Sequence, residues 1–140
     1  MSPTAKKIAG SIAGIITALV VIMIFQRLSA KLYPLPDGVD VKDMAQMEAA
    51  IATMPFGAVA FLLLSYILGS FAGGYTGSLL SRPSWVPALV VGIFLTVGGI
   101  FNLLMIKHPS IFWAMLLIYI PCSLIGARMA MRTRTEPDAA

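Results

Sequence analysis

Four apolar stretches, at residues 8–28, 56–80, 86–106 and 111–131, constrain this chain more than any other feature. A hydrocarbon core of about 30 Å is crossed by about 20 residues of helix, and each stretch supplies that length. Inside lipid the backbone must satisfy its own hydrogen bonds, so long unbroken apolar runs become helices. Composition agrees: 59 % of the 140 residues are hydrophobic and 11 % charged. Soluble domains carry about 25 % charged residues, so neither a soluble domain nor a disordered chain fits. The net charge of +4 comes from basic residues spread along an apolar chain. They form no basic stripe, and no nucleic-acid partner is expected. A single cysteine, Cys122, excludes a disulfide framework or a cysteine-rich metal site within one chain.

The connections set the topology. Residues 81–85 and 107–110 are turns of a few residues, which force neighbouring helices antiparallel. Pro83 and Pro109 stand where the third and fourth spans begin, a position that needs no amide donor. The expected fold is all-α: a single polytopic membrane domain of four transmembrane helices in up-down order, with a flexible tail at 133–140. Lys6, Lys7, Arg82, Arg128, Arg132 and Arg134 fall on one side of the membrane, against Arg27, Lys31, Lys42 and Lys107 on the other. This bias places both termini in the cytoplasm. The first span is read as a retained anchor, because its apolar run from Ile8 to Phe25 exceeds the 7–15 residues usual in a signal peptide. Tyr33, Trp85, Phe112 and Trp113 sit at span ends as interfacial anchors.

The one long polar segment, residues 29–55, lies between the first two spans. Pro34 and Pro36 stiffen its start, and Asp37-Gly38 signals a turn. Val41, Met44, Met47, Ile51 and Met54 recur at spacings of three and four, which predicts a short amphipathic helix over about 40–54. Asp40 is its expected N-cap and Gln46 belongs to its indifferent polar side. The helix would lie on the outer membrane surface or over the bundle mouth. Asp37, Asp40, Asp43 and Glu48 share that side with His108 and could meet a cation. Their spacing matches no metal-binding motif, and caps and turns use aspartate anyway, so no metal site is assigned.

Span two carries Ser65, Gly69, Gly73, Gly77 and Ser81 four apart, with Ser70, Gly74 and Ser78 as a second row. Gly10 and Gly14 with Ala18, Ala88 and Gly92 with Thr96, and Ser123, Gly126, Ala127 and Ala130 repeat the device. Small residues four apart let helix backbones approach closely in lipid. Gly10, Gly14, Gly69, Gly73, Gly77 and Gly92 are therefore the expected helix-packing positions. Either both rows serve one tightly packed bundle, or one row serves a homo-oligomer.

No Asp, Glu, Lys or Arg lies in the central part of any span. Proton-coupled antiporters, voltage sensors and charged-substrate carriers need such a group. The small multidrug transporters share the length and helix count but work through a membrane-embedded glutamate, which this chain lacks. The polar candidates are instead Asn102, His108, Tyr66 and Tyr119. Asn102 could hydrogen-bond either tyrosine or a backbone carbonyl, and His108 could meet a lipid headgroup. Pro121 frees the carbonyl of Leu117, while Cys122 has no partner cysteine or basic neighbour for redox work. No Ser-His-Asp arrangement, nucleotide loop or zinc motif appears, so no catalytic residue, cofactor or metal is assigned.

Tyr33-Pro34-Leu35-Pro36-Asp37-Gly38-Val39-Asp40, Gly69-Ser70-Phe71-Ala72-Gly73-Gly74, and Asn102 followed by His108-Pro109 together resemble a group of small four-helix bacterial inner-membrane proteins with no assigned activity. The resemblance covers about 33–128. It implies a four-helix fold in the bacterial inner membrane, and no chemistry or functional residues. The expectation is a non-enzymatic structural or accessory protein that binds membrane lipids and can self-associate through its glycine faces. A passage for a small neutral or apolar solute is the alternative, and a lipid-modifying enzyme a third. Cysteine labelling in a Cys122→Ala background tests the orientation: Val39→Cys should react from outside, and Thr135→Cys only after the membrane is opened. The reverse pattern would invert the topology.

Overall fold

The computed structural model describes residues 1–81 and 84–135, with side chains as far as 133. Five helices follow one another: α1 (Pro3–Leu32), α2 (Met44–Ala52), α3 (Phe56–Leu80), α4 (Val86–Met105) and α5 (Ile111–Thr135). All but α2 are long and apolar enough to cross a membrane. The protein is thus an all-helical, multi-pass membrane protein, and α2 is its extramembrane element.

Two helices outrun the apolar stretches that predict them. The N-terminal extension of α1 starts at Pro3, behind a Ser2 cap whose hydroxyl oxygen accepts from Ala5 N at 3.2 Å. Its C-terminal extension ends at Leu32, because the residue before Pro34 is driven out of the helical region. At about 1.5 Å per residue the helix outspans the hydrocarbon core, so Arg27 and Lys31 reach the boundary while still helical. Helix α5 continues through Arg128 and Arg132 to Thr135, since arginine favours helix and hydropathy does not decide where a helix stops. Residues 133–135 therefore belong to α5, and the rest of the expected tail lies outside the described residues. So does Pro83; at the head of α4 the first-turn proline is Pro87. The Pro109 carbonyl accepts from Phe112 N at 3.0 Å at the start of α5.

The four long helices alternate in direction. They form the circuit α1–α3–α5–α4, with α3 and α4 also touching across it; among the described residues α1 and α5 do not meet. Glycine carbonyls and α-carbons set the spacing. A Cβ on Gly10 would stand 2.5 Å from the Gly77 carbonyl oxygen, on Gly14 2.6 Å from that of Gly73, and on Gly73 2.7 Å from that of Gly14. Gly69 meets Ile22 in the same antiparallel seam. The second row of α3 faces the other way, where Gly74 lies against the Ser123 backbone and Gly126 of α5 against the Phe71 carbonyl. Gly92 completes the set between α4 and α5, where its Cβ would be 2.8 Å from Ser123 Oγ. Both rows of α3 are thus covered within one chain.

The bundle is polar inside and apolar outside by the standards of a soluble protein. Ser65, Ser70, Ser78 and Ser123 are wholly buried, whereas Ile8, Ile24, Phe101, Leu104 and Leu117 are more than half exposed. Three of these hydroxyls are satisfied locally: Ser65 donates to Leu62 O at 2.6 Å, Ser70 to Tyr66 O at 2.7 Å and Ser123 to Ile120 O at 2.9 Å, whereas the Ser78 hydroxyl has no partner among the described residues. A hydroxyl bonded to its own helix needs no partner from the neighbour, so backbones can close.

This packing separates two glycines. Gly73→Ala should destabilise the fold by about 1–3 kcal/mol through overpacking, lowering the melting temperature in detergent by several degrees. Gly98→Ala meets nothing within 4 Å and should leave the melting temperature unchanged or slightly raised. Equal responses would remove the close-contact reading.

Candidate ligand groove

Between α1 and α4 the bundle opens sideways into a groove of about 380 Å³. Leu19 and Ile22 of α1 and Phe94 and Leu95 of α4 form its apolar walls. Its floor is Tyr66 of α3 and Tyr119 of α5, packed edge to face at 5.4 Å and 69°. The mouth lies at Gly98, the exposed glycine with open space around it. Two side-chain amides, Gln26 and Asn102, stand on the groove and are both exposed.

Asn102 lies one turn before the end of α4, where its backbone carbonyl accepts from Ile106 N at 3.1 Å. Its side chain finds no hydrogen-bond partner among the described residues, although it lines the groove together with both tyrosines. His108 comes close by another route. Its Nδ1 is 2.5 Å from the Ile106 carbonyl oxygen, which can only accept, so Nδ1 donates. The ring tilts against Phe112 at 5.0 Å and borders a gap of about 30 Å³ with Tyr66, Asn102 and Tyr119. All four polar residues singled out in the sequence meet at this gap, which has room for about one water.

Gln26 was not among them. In the sequence it follows the apolar run from Ile8 to Phe25 and precedes Arg27. The structure carries α1 six residues further, so Gln26 faces the bundle beside Tyr66. The available signal was its spacing: Leu19, Ile22, Gln26, Ser29, Ala30 and Tyr33 recur at three and four and share one face.

Beyond Gln26 lies a second, partly open chamber of about 270 Å³, bordered by the end of α1, residues 33–36 and the junction of α2 with α3. Helix α2 roofs this end. Ala50 and Ile51 are buried, Ile51 joining Leu103, Phe112 and Met115 in an apolar cluster. Only part of the expected stripe is seated, however, since Val41 and Met44 are exposed. Glu48 Oε1 accepts from the backbone N of Lys107 at 3.1 Å and ties the roof to the α4–α5 turn. The N-cap is Asp43, whose Oδ1 accepts from Ala45 N at 2.9 Å and Gln46 N at 3.3 Å. Asp40, the expected cap, instead holds a turn by accepting from Lys42 N at 2.9 Å. Nor is Gln46 indifferent: it donates to Asp43 Oδ2 at 3.1 Å and accepts from Asp40 N at 2.8 Å. The later aspartate wins because its carboxylate reaches the Ala45 and Gln46 amides and is steadied by the Gln46 side chain, while Asp43 N is taken by the Asp40 carbonyl at 3.0 Å. Among the described residues no three His, Cys, Asp or Glu side chains gather into a metal site.

Loss of the cap should loosen the roof. Asp43→Ala should cost α2 about 1 kcal/mol, raising amide exchange across residues 44–52 about fivefold, while exposed Val41→Asp should leave it unchanged. Equal exchange in both variants would mean that the cap does not hold the roof. No protein-family model, curated protein or solved structure matches the chain, and the groove is interpreted from its own geometry.

Proposed function

We propose that this protein is a non-enzymatic, lipid-binding accessory protein of the bacterial inner membrane that holds one amphiphile in the α1–α4 groove. The observation that carries the reading is the pair of amides, Gln26 and Asn102, on an otherwise apolar groove within the span region. Gln26 pairs with the Tyr66 hydroxyl, which leaves Asn102 as the amide without a side-chain partner among the described residues. An unsatisfied amide in hydrocarbon is costly, and a ligand with an apolar tail and a hydrogen-bonding group relieves that cost. The volume falls within the range of roughly 300–1,000 Å³ common to small-molecule sites. Lys6, Lys7, Arg128 and Arg132 near the end that holds both termini support a cytoplasmic placement of that end. The resemblance to small four-helix inner-membrane proteins supports the same compartment.

Passage of a solute is less favoured. Toward the termini the backbones of α1, α3 and α5 touch at Gly10, Gly14, Gly73, Gly74, Gly77 and Gly126, so a ligand entering the groove meets a packed bundle. Self-association through the rows of α3 is also disfavoured, since α1 and α5 cover both; a second copy would use the apolar outer faces.

Native mass spectrometry from mild detergent tests the reading. The wild-type chain should retain a lipid-mass adduct. Asn102→Leu should weaken retention about fivefold, as expected for losing a hydrogen bond worth about 1 kcal/mol. Gly98→Trp should fill the groove and abolish the adduct, and Leu64→Trp on the outer face of α3 should not. Adducts equal in wild type and Gly98→Trp, or absent from both, would overturn the proposal.

A further inference from the structure

We infer that the chamber beneath α2 is the head-group site of the groove and that it selects an amphiphile with an uncharged, hydrogen-bonding head. This rests on the groove being a ligand site. The two cavities share Gln26, which borders the groove on one side and the chamber on the other. Along α1 the lining runs from Leu19 to Tyr33, about 21 Å of helix rise. That length matches a head and much of a tail laid along α1 past Gln26.

The chemistry changes along the path in the order an amphiphile requires. Leu19 and Ile22 are aliphatic, Gln26 is an amide, Ser29 a hydroxyl and Tyr33 a phenol. Thr53 faces the chamber from the α2–α3 junction, but its hydroxyl is already used on the Ala49 and Ala50 carbonyls at 3.1 and 3.2 Å. Polar groups available for a ligand therefore lie mainly on α1. Neither lining includes Asp, Glu, Lys or Arg. Arg27 and Lys31 are next to lining residues in sequence, yet a helix turns about 100° per residue, so both point away and are exposed.

A phosphate head entering the chamber would give up water and find no counter-charge among the lining residues, which disfavours it. An ester, hydroxyl or ring carbonyl needs only a donor and an acceptor, which an amide supplies together. The discrimination is consequently against charge rather than for one head-group shape. Glycerides and prenyl quinones share the required chemistry.

The full-length chain in detergent micelles is offered equal amounts of dioleoylglycerol, a short-chain prenyl quinone and dioleoylphosphatidylglycerol, with retention read by native mass spectrometry. At least one neutral probe should be retained tenfold or more over the phosphatidylglycerol, and whichever dominates identifies the head. Ala30→Trp, which fills the chamber, should abolish that preference. Gln26→Lys should shift it at least tenfold toward phosphatidylglycerol, a gain that a misfolded variant cannot show. Equal retention of neutral and anionic probes, all lost in Gly98→Trp, would overturn the head-group selection and leave the groove intact. Preference surviving in Ala30→Trp would likewise remove the chamber as head site. Retention unaffected by Gly98→Trp would overturn the groove itself, and this inference with it.

Discussion

Backbone contact between α3 and its two neighbours is the interaction on which the molecule depends. Lipid gives helices no hydrophobic reason to associate, so dispersion between closely packed backbones has to supply the attraction. Gly69, Gly73 and Gly77 bring α1 in on one side, and Gly74 with Gly126 brings α5 in on the other. Helix α3 becomes the shared spine. Since α1 and α5 do not touch among the described residues, α4 must bridge them, and the bridge is tight only where small residues allow it.

The groove follows from where that allowance stops. Gly92 seats α4 against α5, and Ala18, Val91 and Leu95 join α1 to α4 in the middle of the bundle. Past Leu95, α4 presents Gly98 to open space and Asn102 to the groove, while α1 presents Gln26. Two helices bound together near the termini and separated by larger or polar residues at the other end leave a wedge. Helix α2 roofs the same end through Ile51 and the Glu48 contact, so the wedge opens sideways into lipid while its far end is covered.

Polar groups mark a further division. In the closed half the Ser70 and Ser123 hydroxyls bond to their own helices and add nothing exposed to the surface. The amides in the open half cannot do the same at comparable cost, because a carboxamide carries two donors and an acceptor. Serine is compatible with a seam, whereas asparagine and glutamine need a ligand, water or a neighbouring polar group.

Length and hydropathy alone determine four spans and their up-down order, because bilayer thickness dictates helix length and short turns dictate antiparallel neighbours. The small-residue spacing likewise identifies the close-packing faces, and the stripe ending in Ile51 and Met54 identifies an amphipathic helix. Residue spacing could not say which neighbour covers each row of α3: Gly73 and Gly74 differ by about 100° around one helix, and only the circuit α1–α3–α5–α4 assigns them to α1 and α5. Nor could it choose Asp43 over Asp40, since the cap is decided by where the first helical turn closes and by the reach of Gln46. Gln26 is the same lesson at the candidate site. Hydropathy ends the first span near it, but backbone propensity carries α1 on to Leu32, and tertiary packing then turns an apparent boundary residue into the join between two cavities. Periodicity is a local property that a sequence carries whole, whereas the partner of a face depends on the positions of all the other helices.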